Sequence, residues 1–152
     1  MLRDDVSAEL KQAMRSKNTV KMATLRLILA AIKDRDIAAR TDGVLEGIGE
    51  DEVLKVLQTM VKQRRESIKM YEQGNRPELA AQEAQEIAII QSFLPEQMDD
   101  LEIESAVKAV IDEIEANSLK DMGASMGLLR ERYSGRMDFG KASAFLKSAL
   151  TG

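Results

Sequence analysis

The stretch DEVLKVLQTMVKQRRESIKMYEQ, Asp51–Gln73, decides the fold of this chain. At a helical period of about 100° per residue, one face collects its apolar residues: Val53, Leu57, Met60, Val61, Ile68 and Tyr71. Acids in the first turn suit the positive end of a helix dipole, and Gly74 follows as a residue that can end a helix in the left-handed conformation. The stretch therefore predicts one long amphipathic helix, roughly 35 Å at about 1.5 Å per residue.

Two charged features lie on this predicted helix. Arg64 falls within the apolar face, so its guanidinium has to meet a carboxylate from a packed neighbour or reach for a ligand. Glu83 and Glu86, on the next helical stretch, are the expected partners. The roughly opposite face carries a row of basic residues, which is either a solvated surface or a track for a phosphate backbone: Lys55, Lys62, Arg65 and Lys69.

The rest of the chain reads as further helices, with no strand-like alternation and no internal repeat. Beside the central helix, the predicted helices are Leu2–Ser16, Val20–Ala39, Leu79–Phe93, Leu101–Ala116, Met122–Tyr133 and Phe139–Leu150. Pro95 is the predicted domain boundary, because the residue before a proline resists helical torsions. The sequence predicts an all-α protein, with a helical N-terminal domain of about four helices over 1–95 and a small three-helix C-terminal domain over 96–152.

Local signals add detail to these helices. The cap candidates are Asn18 or Thr19, Asp99 or Asp100, Asp121, and Asp138. The glycine-rich segment Thr41–Gly49 is interpreted as a mobile surface connector, with a functional lid as the alternative. The residues expected to face inward include Met14, Leu27 and Ala84. Because Leu27 and Ala31 widen the apolar face of the second helix, we expect that helix to be buried on more than one side.

Two absences limit the function of the 152-residue chain. There is no cysteine, which excludes disulfides, thiolate chemistry and zinc–thiolate sites. There is no histidine, which removes the commonest general base and metal ligand. We therefore expect no intrinsic catalysis, no cofactor and no metal.

The chain also lacks the marks of membrane insertion or import. The first five residues contain two acids and no apolar core segment, unlike a signal or transit peptide. The longest apolar run, Leu27–Ile32, is too short to cross a bilayer. The sequence predicts a cytoplasmic protein with no membrane partner.

Charge is unevenly distributed along the chain. The net charge of −4 argues against strong, indiscriminate binding to nucleic acid. Residues 1–40 nevertheless contain nine Lys/Arg against five Asp/Glu, and residues 118–152 contain six against three. The stretch 99–115 holds seven acids against one lysine, and we interpret it as a solvated helix face.

The second basic segment is the best-motivated ligand surface in the sequence. Gly123 and Gly127 remove side chains from one helix face, so that either a neighbouring helix or a ribose-phosphate backbone can approach closely. A set of basic residues surrounds the two glycines: Lys120, Arg130, Arg132, Arg136 and Lys141. Aromatic residues that would stack on bases are not interleaved with them.

Three blocks of the sequence, taken together, resemble the YqeY-like family. They are LRLILAAIKDRDI at Leu25–Ile37, the stretch Val53–Pro95, and KDMGASMGLLRERYSGRMD at Lys120–Asp138. That family is similar to the C-terminal tail of the B subunit of the glutamine-dependent tRNA amidotransferase. The resemblance implies a helical N-terminal domain and a small three-helix C-terminal domain. The sequence departs from the family at Ala124, where a lysine often follows the first glycine.

The resemblance implies a role near tRNA charging. In the amidotransferase the tail is a tRNA-binding appendage, whereas kinase and amidase chemistry resides in other parts. We therefore expect a non-catalytic tRNA-binding accessory module, with tRNA as its partner. One alternative is a protein-interaction or scaffold module that works with a tRNA-charging enzyme. A second is membership of a glutamine-dependent carbon–nitrogen ligase system, with glutamine as the amido-nitrogen donor.

Overall fold

Seven α-helices and one 3-10 turn form the part of the chain that a computed structural model describes, residues 1–151. The helices are α1 (Leu2–Ser16), α2 (Thr19–Arg40), α3 (Glu50–Gln73), α4 (Pro77–Gln91), α5 (Asp100–Ile114), α6 (Met122–Tyr133) and α7 (Phe139–Thr151); the 3-10 turn spans Leu119–Asp121. No strand occurs in these residues. The predicted all-α architecture, four helices followed by three, is confirmed. The chain divides into two compact units, Met1–Pro95 and Glu96–Gly152.

Side-chain caps set several of the helix starts. Asn18 accepts a hydrogen bond from the Lys21 amide at 3.1 Å. Asp99 and Glu102 form a reciprocal capping box at the start of α5. Asp138 accepts hydrogen bonds from the Gly140 and Lys141 amides at the start of α7. These caps satisfy backbone donors that have no partner within the first helical turn.

Two local expectations are wrong in their mechanism. Gly74 ends α3 with φ −85°, outside the left-handed region, and the next residue, Asn75, takes the positive φ of 56° instead. Asp121 does not cap α6, because its carboxylate accepts hydrogen bonds from the Asn117 and Ser118 amides and closes the preceding 3-10 turn. Asparagine tolerates the left-handed conformation better than most residues, and this explains why Asn75 can take the positive φ expected of Gly74 after α3.

The first unit consists of two helical hairpins, α1–α2 and α3–α4, which pack with α2 against α4. Its core is aliphatic: Val6, Ala13, Leu25, Ile28, Ile32, Val53, Val56, Leu57, Met60, Val61 and Ile90 are buried. Most of the apolar face predicted for Asp51–Gln73 lies in this core. Three residues expected inside are exposed instead: Met14, Leu27 and Ala84. Leu27 therefore lies on an outer face of α2, and the expectation that this face is covered is wrong.

A polar clamp closes the first unit where the α2–α3 loop returns to the helices. The Asp36 carboxylate accepts two hydrogen bonds from Arg3, at 2.6 and 3.0 Å, and one from the Ile48 amide at 2.8 Å. Arg3 also donates to the Ile48 carbonyl, and the Leu2 amide donates to Glu50. The hydrogen bonds from Arg3 and from the Ile48 amide lower the pKa of Asp36 from 3.8 to about 2. The far end of the glycine-rich loop is thus held in place.

The second unit packs α5, α6 and α7 against one another. Its core contains Ile103, Ala106, Val107, Val110, Met126, Leu129, Met137, Ala142 and Leu146. The turn between α6 and α7 also holds the start of the unit, since the Arg136 carbonyl accepts from the Met98 amide at 2.9 Å and the Gly135 carbonyl accepts from the Gln97 side chain at 2.6 Å. Gly135 has a φ of 79°, a conformation that glycine adopts without strain.

Candidate nucleic-acid interface

The outer face of α6 is bare backbone at two positions. Gly123 and Gly127 are both exposed, and a Cβ added to either would meet nothing within 4 Å. The opposite face of the same helix buries Ser125, Met126 and Leu129. Within the described residues, the structure does not place the two glycines against a neighbouring helix.

These glycines weaken α6 without improving its packing. A glycine in a helix interior costs roughly 1 kcal/mol relative to alanine; Gly127 lies in the interior of α6, and Gly123 is the second residue of the helix, where the cost is smaller. Glycines in helices often let another backbone approach closely, but in this unit no neighbour uses the space. The face is therefore free to accept the sugar-phosphate backbone of a ligand.

Two basic side chains border this bare face and have no ion-pair partner in residues 1–151. Lys120 lies in the 3-10 turn just before α6. Arg130 comes seven residues after Gly123 and three after Gly127, so Arg130 and the two glycines share one face of α6. Both basic residues are exposed. The Arg130 guanidinium lies 6.0 Å from the centroid of the Phe139 ring, at the outer range of a cation–π contact.

Two other predicted ligand residues are paired with acids of α5. The Arg132 Nη2 lies 2.6 Å from Glu113 Oε2, and the Lys141 Nζ lies 2.9 Å from Asp100 Oδ1. All four side chains are at least 41% exposed, and exposed pairs of this kind stabilise a protein by only about 0.2–1 kcal/mol. A phosphate can therefore compete for either cation, although each pair reduces the local positive potential.

Arg136 serves the fold of the second unit. Its side chain is half-buried, and its Nε donates to the Glu96 carbonyl at 3.1 Å. With the Met98 hydrogen bond described above, Arg136 fastens the first residues of the unit to the α6–α7 turn. No sequence pattern predicts this role, because both hydrogen bonds involve backbone atoms and join residues about forty positions apart.

The basic row of α3 lies in the first unit and is exposed to solvent. Lys62, Arg65 and Lys69 are exposed, and Lys55 pairs with Glu52 in its own helix at 3.2 Å. A phosphate-contacting surface and a solvated face both stay predictions for this row.

Arg64 lies against the two acids expected for it. Its side chain is 14% exposed, and its Nε is 3.3 Å from Glu86 Oε2 and 4.0 Å from Glu83 Oε2. These are ion-pair distances without hydrogen-bond geometry at Nε, while its Nη1 donates to the Met60 carbonyl. Burial and the neighbouring Glu86 carboxylate raise the pKa of Glu83, against the opposing effect of Arg64. In this arrangement Arg64 ties α3 to α4.

Residues 1–151 contain neither a metal-binding cluster of side chains nor a helix suited to spanning a membrane. No group of three or more His, Cys, Asp or Glu side chains is arranged to hold a metal ion. Within the same range, no helix combines the length and apolar character that crossing a bilayer requires.

The fold defines an all-α protein of two units, one with four helices and one with three. In the second unit, α6 exposes its two glycines between basic side chains. The family model described as Yqey-like protein matches residues 3–150. The chain therefore belongs to the YqeY-like family.

Three similar proteins from yeasts share the name altered inheritance of mitochondria protein 41, mitochondrial. The protein from Clavispora lusitaniae is 33% identical over 98% of this chain and 85% of its own length. That from Vanderwaltozyma polyspora is 35% identical over 57% of this chain and 44% of its own length. That from Saccharomyces cerevisiae strain YJM789 is 28% identical over 74% of this chain and 60% of its own length.

These names contradict the predicted localisation. The sequence was expected to belong to a cytoplasmic protein, whereas the relatives are named as mitochondrial proteins. The expectation rested on the first residues, which lack the composition of a signal or transit peptide. That composition says little about the compartment in which members of a family work. The cytoplasmic assignment is therefore wrong.

Proposed function

We propose that this YqeY-like chain is a non-catalytic accessory module that binds tRNA through the outer face of α6. The observation that carries the proposal is the pair of open glycines, Gly123 and Gly127, bordered by the unpaired cations of Lys120 and Arg130. The resemblance to the tRNA-binding tail of the amidotransferase B subunit supports tRNA as the ligand, while the departure from the family at Ala124 weakens its transfer to this face of α6. The names of the relatives favour mitochondria over the cytoplasm as the compartment of this function.

Binding at this face would proceed by contact with the sugar-phosphate backbone. The glycines allow a ribose or phosphate to approach the α6 backbone, while Lys120 and Arg130 neutralise phosphate charge from either end. Backbone contacts of this kind position a nucleic acid and carry no sequence information directly. We therefore expect the module to add affinity and orientation, and to leave the choice of tRNA to another component.

The acids of α5 limit the strength of this interaction. Glu113 and Asp100 engage Arg132 and Lys141, so these two cations contribute only when a phosphate displaces a carboxylate. Two to four phosphate contacts give a slope of log affinity against log salt of roughly −2 to −4. Binding should accordingly be weak and strongly salt-dependent.

The direct test reverses the two unpaired cations. Lys120→Glu/Arg130→Glu should weaken the binding of unfractionated tRNA at least about tenfold at low salt and flatten the salt slope by about two. Lys11→Glu/Arg15→Glu on the exposed side of α1 is the matched control, because it changes the net charge from −4 by the same amount. Equal losses in both variants would mean that only net charge matters, and no tRNA affinity at low salt would refute the proposal.

Central-helix participation is tested separately. Lys55→Glu/Lys62→Glu should leave tRNA binding close to that of the Lys11/Arg15 control if the row on α3 is a solvated face. A loss as large as that of the Lys120/Arg130 variant would add α3 to the interface. Arg136 is unsuitable for such tests, because it holds the start of the second unit.

The second candidate function is a protein-interaction or scaffold module associated with tRNA charging. Its support is the net charge of −4, which opposes general nucleic-acid binding. Activity as a glutamine-dependent carbon–nitrogen ligase has only the family resemblance in its favour, since the sequence holds no cysteine or histidine. Release of ammonia from glutamine by the purified chain would establish that third function.

A further inference from the structure

The outer face of α2 carries an apolar stripe that nothing in the described residues covers. The stripe contains Val20, Ala23, Leu27, Ala30 and Ile37, all exposed. The exposed fractions of its large members are 43% for Val20, 46% for Leu27 and 49% for Ile37. Their spacing of three and four residues is the one by which helices pack along a seam. This face lies opposite the face that buries Leu25, Ile28 and Ile32 in the core.

A groove runs beside the N-terminal end of this stripe, between α2 and α4. It has a volume of about 470 Å³, and its lining includes Val20 and Ala23 from α2 and Ala81 from α4. Two acids also line it, and each is ion-paired: Glu78 with Arg76 and Glu86 with Arg64. The remaining lining positions of α4 hold amide side chains, Gln82 and Gln85, which are exposed.

A basic row borders the other edge of the stripe. Arg26, Lys33 and Arg40 recur every seven residues, so they follow the stripe along the whole of α2. All three are exposed, and Arg26 and Lys33 have no ion-pair partner in residues 1–151. The stripe is therefore flanked by a basic row on one side and, on the other, by a groove whose two acids, Glu78 and Glu86, are already ion-paired within the chain.

These charges argue against a second copy of the chain as the occupant. The α2 segment holds five Lys/Arg against two Asp, a net charge of +3, so two copies of this face repel each other. The acidic helix of the chain, α5, already buries its apolar side in the core of the second unit, through Ile103, Val107 and Val110. It has no apolar face left to offer.

We propose that the outer face of α2, between its apolar stripe and its basic row, docks an acidic amphipathic helix of a partner protein. The partner's apolar residues pack on Val20, Leu27 and Ile37, and its acids face Arg26, Lys33 and Arg40. Asp34 interrupts the stripe between Ala30 and Ile37. A single polar residue in such a seam fixes the register of the partner helix. This site lies in the first unit and does not depend on tRNA binding by α6.

A pair of synthetic peptides tests the proposal on the full chain. The first peptide has about 21 residues, with leucine at heptad positions a and d and glutamate at e and g, and the second replaces each glutamate by lysine. Mutual repulsion of its like charges keeps either peptide from pairing with itself. Fluorescence anisotropy of labelled peptides should show about tenfold or more preference of the protein for the glutamate peptide.

Three variants locate the binding site. Leu27→Glu should weaken the glutamate peptide about tenfold or more, since it places charge in the centre of the seam. Met70→Glu, an equally drastic change at a residue of α3 that is 71% exposed, is the matched control and should leave binding unchanged. Arg26→Glu/Lys33→Glu should reverse the preference in favour of the lysine peptide. Circular dichroism should show that all three variants keep the helix content of the parent.

Each other outcome overturns the proposal. Absence of binding, equal affinity for the two peptides, or loss of affinity in Met70→Glu as large as in Leu27→Glu would remove the α2 face as the site. Concentration-dependent dimerisation in sedimentation equilibrium, abolished by Leu27→Glu, would assign the face to a second copy. Because no RNA enters these measurements, their failure leaves the tRNA proposal untouched, and failure of the tRNA test leaves this one untouched.

Discussion

Replacing the two glycines of α6 should stabilise the protein and impair its function at once. The change is Gly123→Ala/Gly127→Ala, in which each new methyl group meets nothing within 4 Å. Since no clash opposes the gain, Gly127→Ala should contribute about 0.5–1 kcal/mol through the better helix propensity of alanine, and Gly123→Ala, in the first turn of α6, should contribute less. Together they should add about 1 kcal/mol to the free energy of unfolding of the second unit, which raises the melting temperature of a domain this small by about 4 °C or more.

The same two methyl groups occupy the face to which we assign the sugar-phosphate backbone. The variant should therefore bind tRNA more weakly than the parent, although its fold is more stable. Ala124→Gly is the matched control on this helix, because Ala124 is also exposed. That change should destabilise the unit by about 0.5–1 kcal/mol and leave tRNA affinity at least as high as in the parent.

The assays are urea unfolding followed by circular dichroism, hydrogen exchange of the α6 amides, and tRNA binding at low salt. Hydrogen exchange assigns the change in stability to the second unit rather than to the whole chain. Destabilisation by the double substitution would show that the glycine face is occupied or conformationally required, contrary to its open surroundings. Increased stability with unchanged tRNA affinity would mean that the ligand does not approach this face.

Three further predictions concern the first unit. The folded pKa of Asp36, about 2, lies below its ordinary value of 3.8, so the stabilisation by its carboxylate is present above about pH 4 and is lost as the pH falls through about 2. Asp36→Asn should therefore lower the free energy of unfolding by about 1–2 kcal/mol at pH 7, a figure discounted for the partial exposure of Arg3. In urea titrations near pH 2, the difference in stability between the variant and the parent should vanish. Gly47→Ala should destabilise the protein by about 1–3 kcal/mol, since φ is +95° and the new Cβ would lie 3.1 Å from the Asp36 carboxylate. Gly43→Ala is the control: its φ is +87°, but nothing lies within 4 Å of the new Cβ, so it should cost only the backbone strain of a positive φ. Equal shifts in melting temperature in the two variants would contradict this. Glu86→Gln should lower the free energy of unfolding by about 1–3 kcal/mol, because it removes the charge of the nearer partner of Arg64. Glu83→Gln should change the free energy of unfolding little at pH 7, because burial and Glu86 raise the Glu83 pKa and so disfavour its charged form. A larger loss of stability in Glu83→Gln than in Glu86→Gln would reverse the roles of the two acids.

Helical periodicity was sufficient for the architecture of the chain. The apolar residues of Asp51–Gln73 repeat at the helical period, and most of them are in the core. The same pattern exposed Arg64 as a residue in need of a carboxylate, since a guanidinium in an apolar stripe admits few arrangements. These inferences depend on contacts within a helix or between helices adjacent in sequence.

Periodicity failed where two interpretations share one pattern. Leu27 belongs to an apolar stripe, but the pattern does not say whether a stripe is covered by the same chain. Gly74 and Asn75 both tolerate a left-handed conformation, and the choice between them depends on where the next helix starts. The pairs Arg132–Glu113 and Lys141–Asp100 join separate helices, so neither pair could be predicted from local spacing. Two of the five predicted basic residues are therefore in ion pairs, and a third, Arg136, is hydrogen-bonded to the backbone.

The clamp around Asp36 has a consequence for the order in which the chain is made. It joins Arg3 to Ile48, and with the Leu2–Glu50 contact it closes a ring over the first fifty residues. All of these atoms leave the ribosome before most of α3, and at about 5–20 residues per second the following 45 residues take roughly 2–9 s. During that interval the core face of α2 has only α1 to cover it. We expect the ring to hold α1, α2 and the loop together in the nascent chain, so that α3 meets a prepared surface as it emerges.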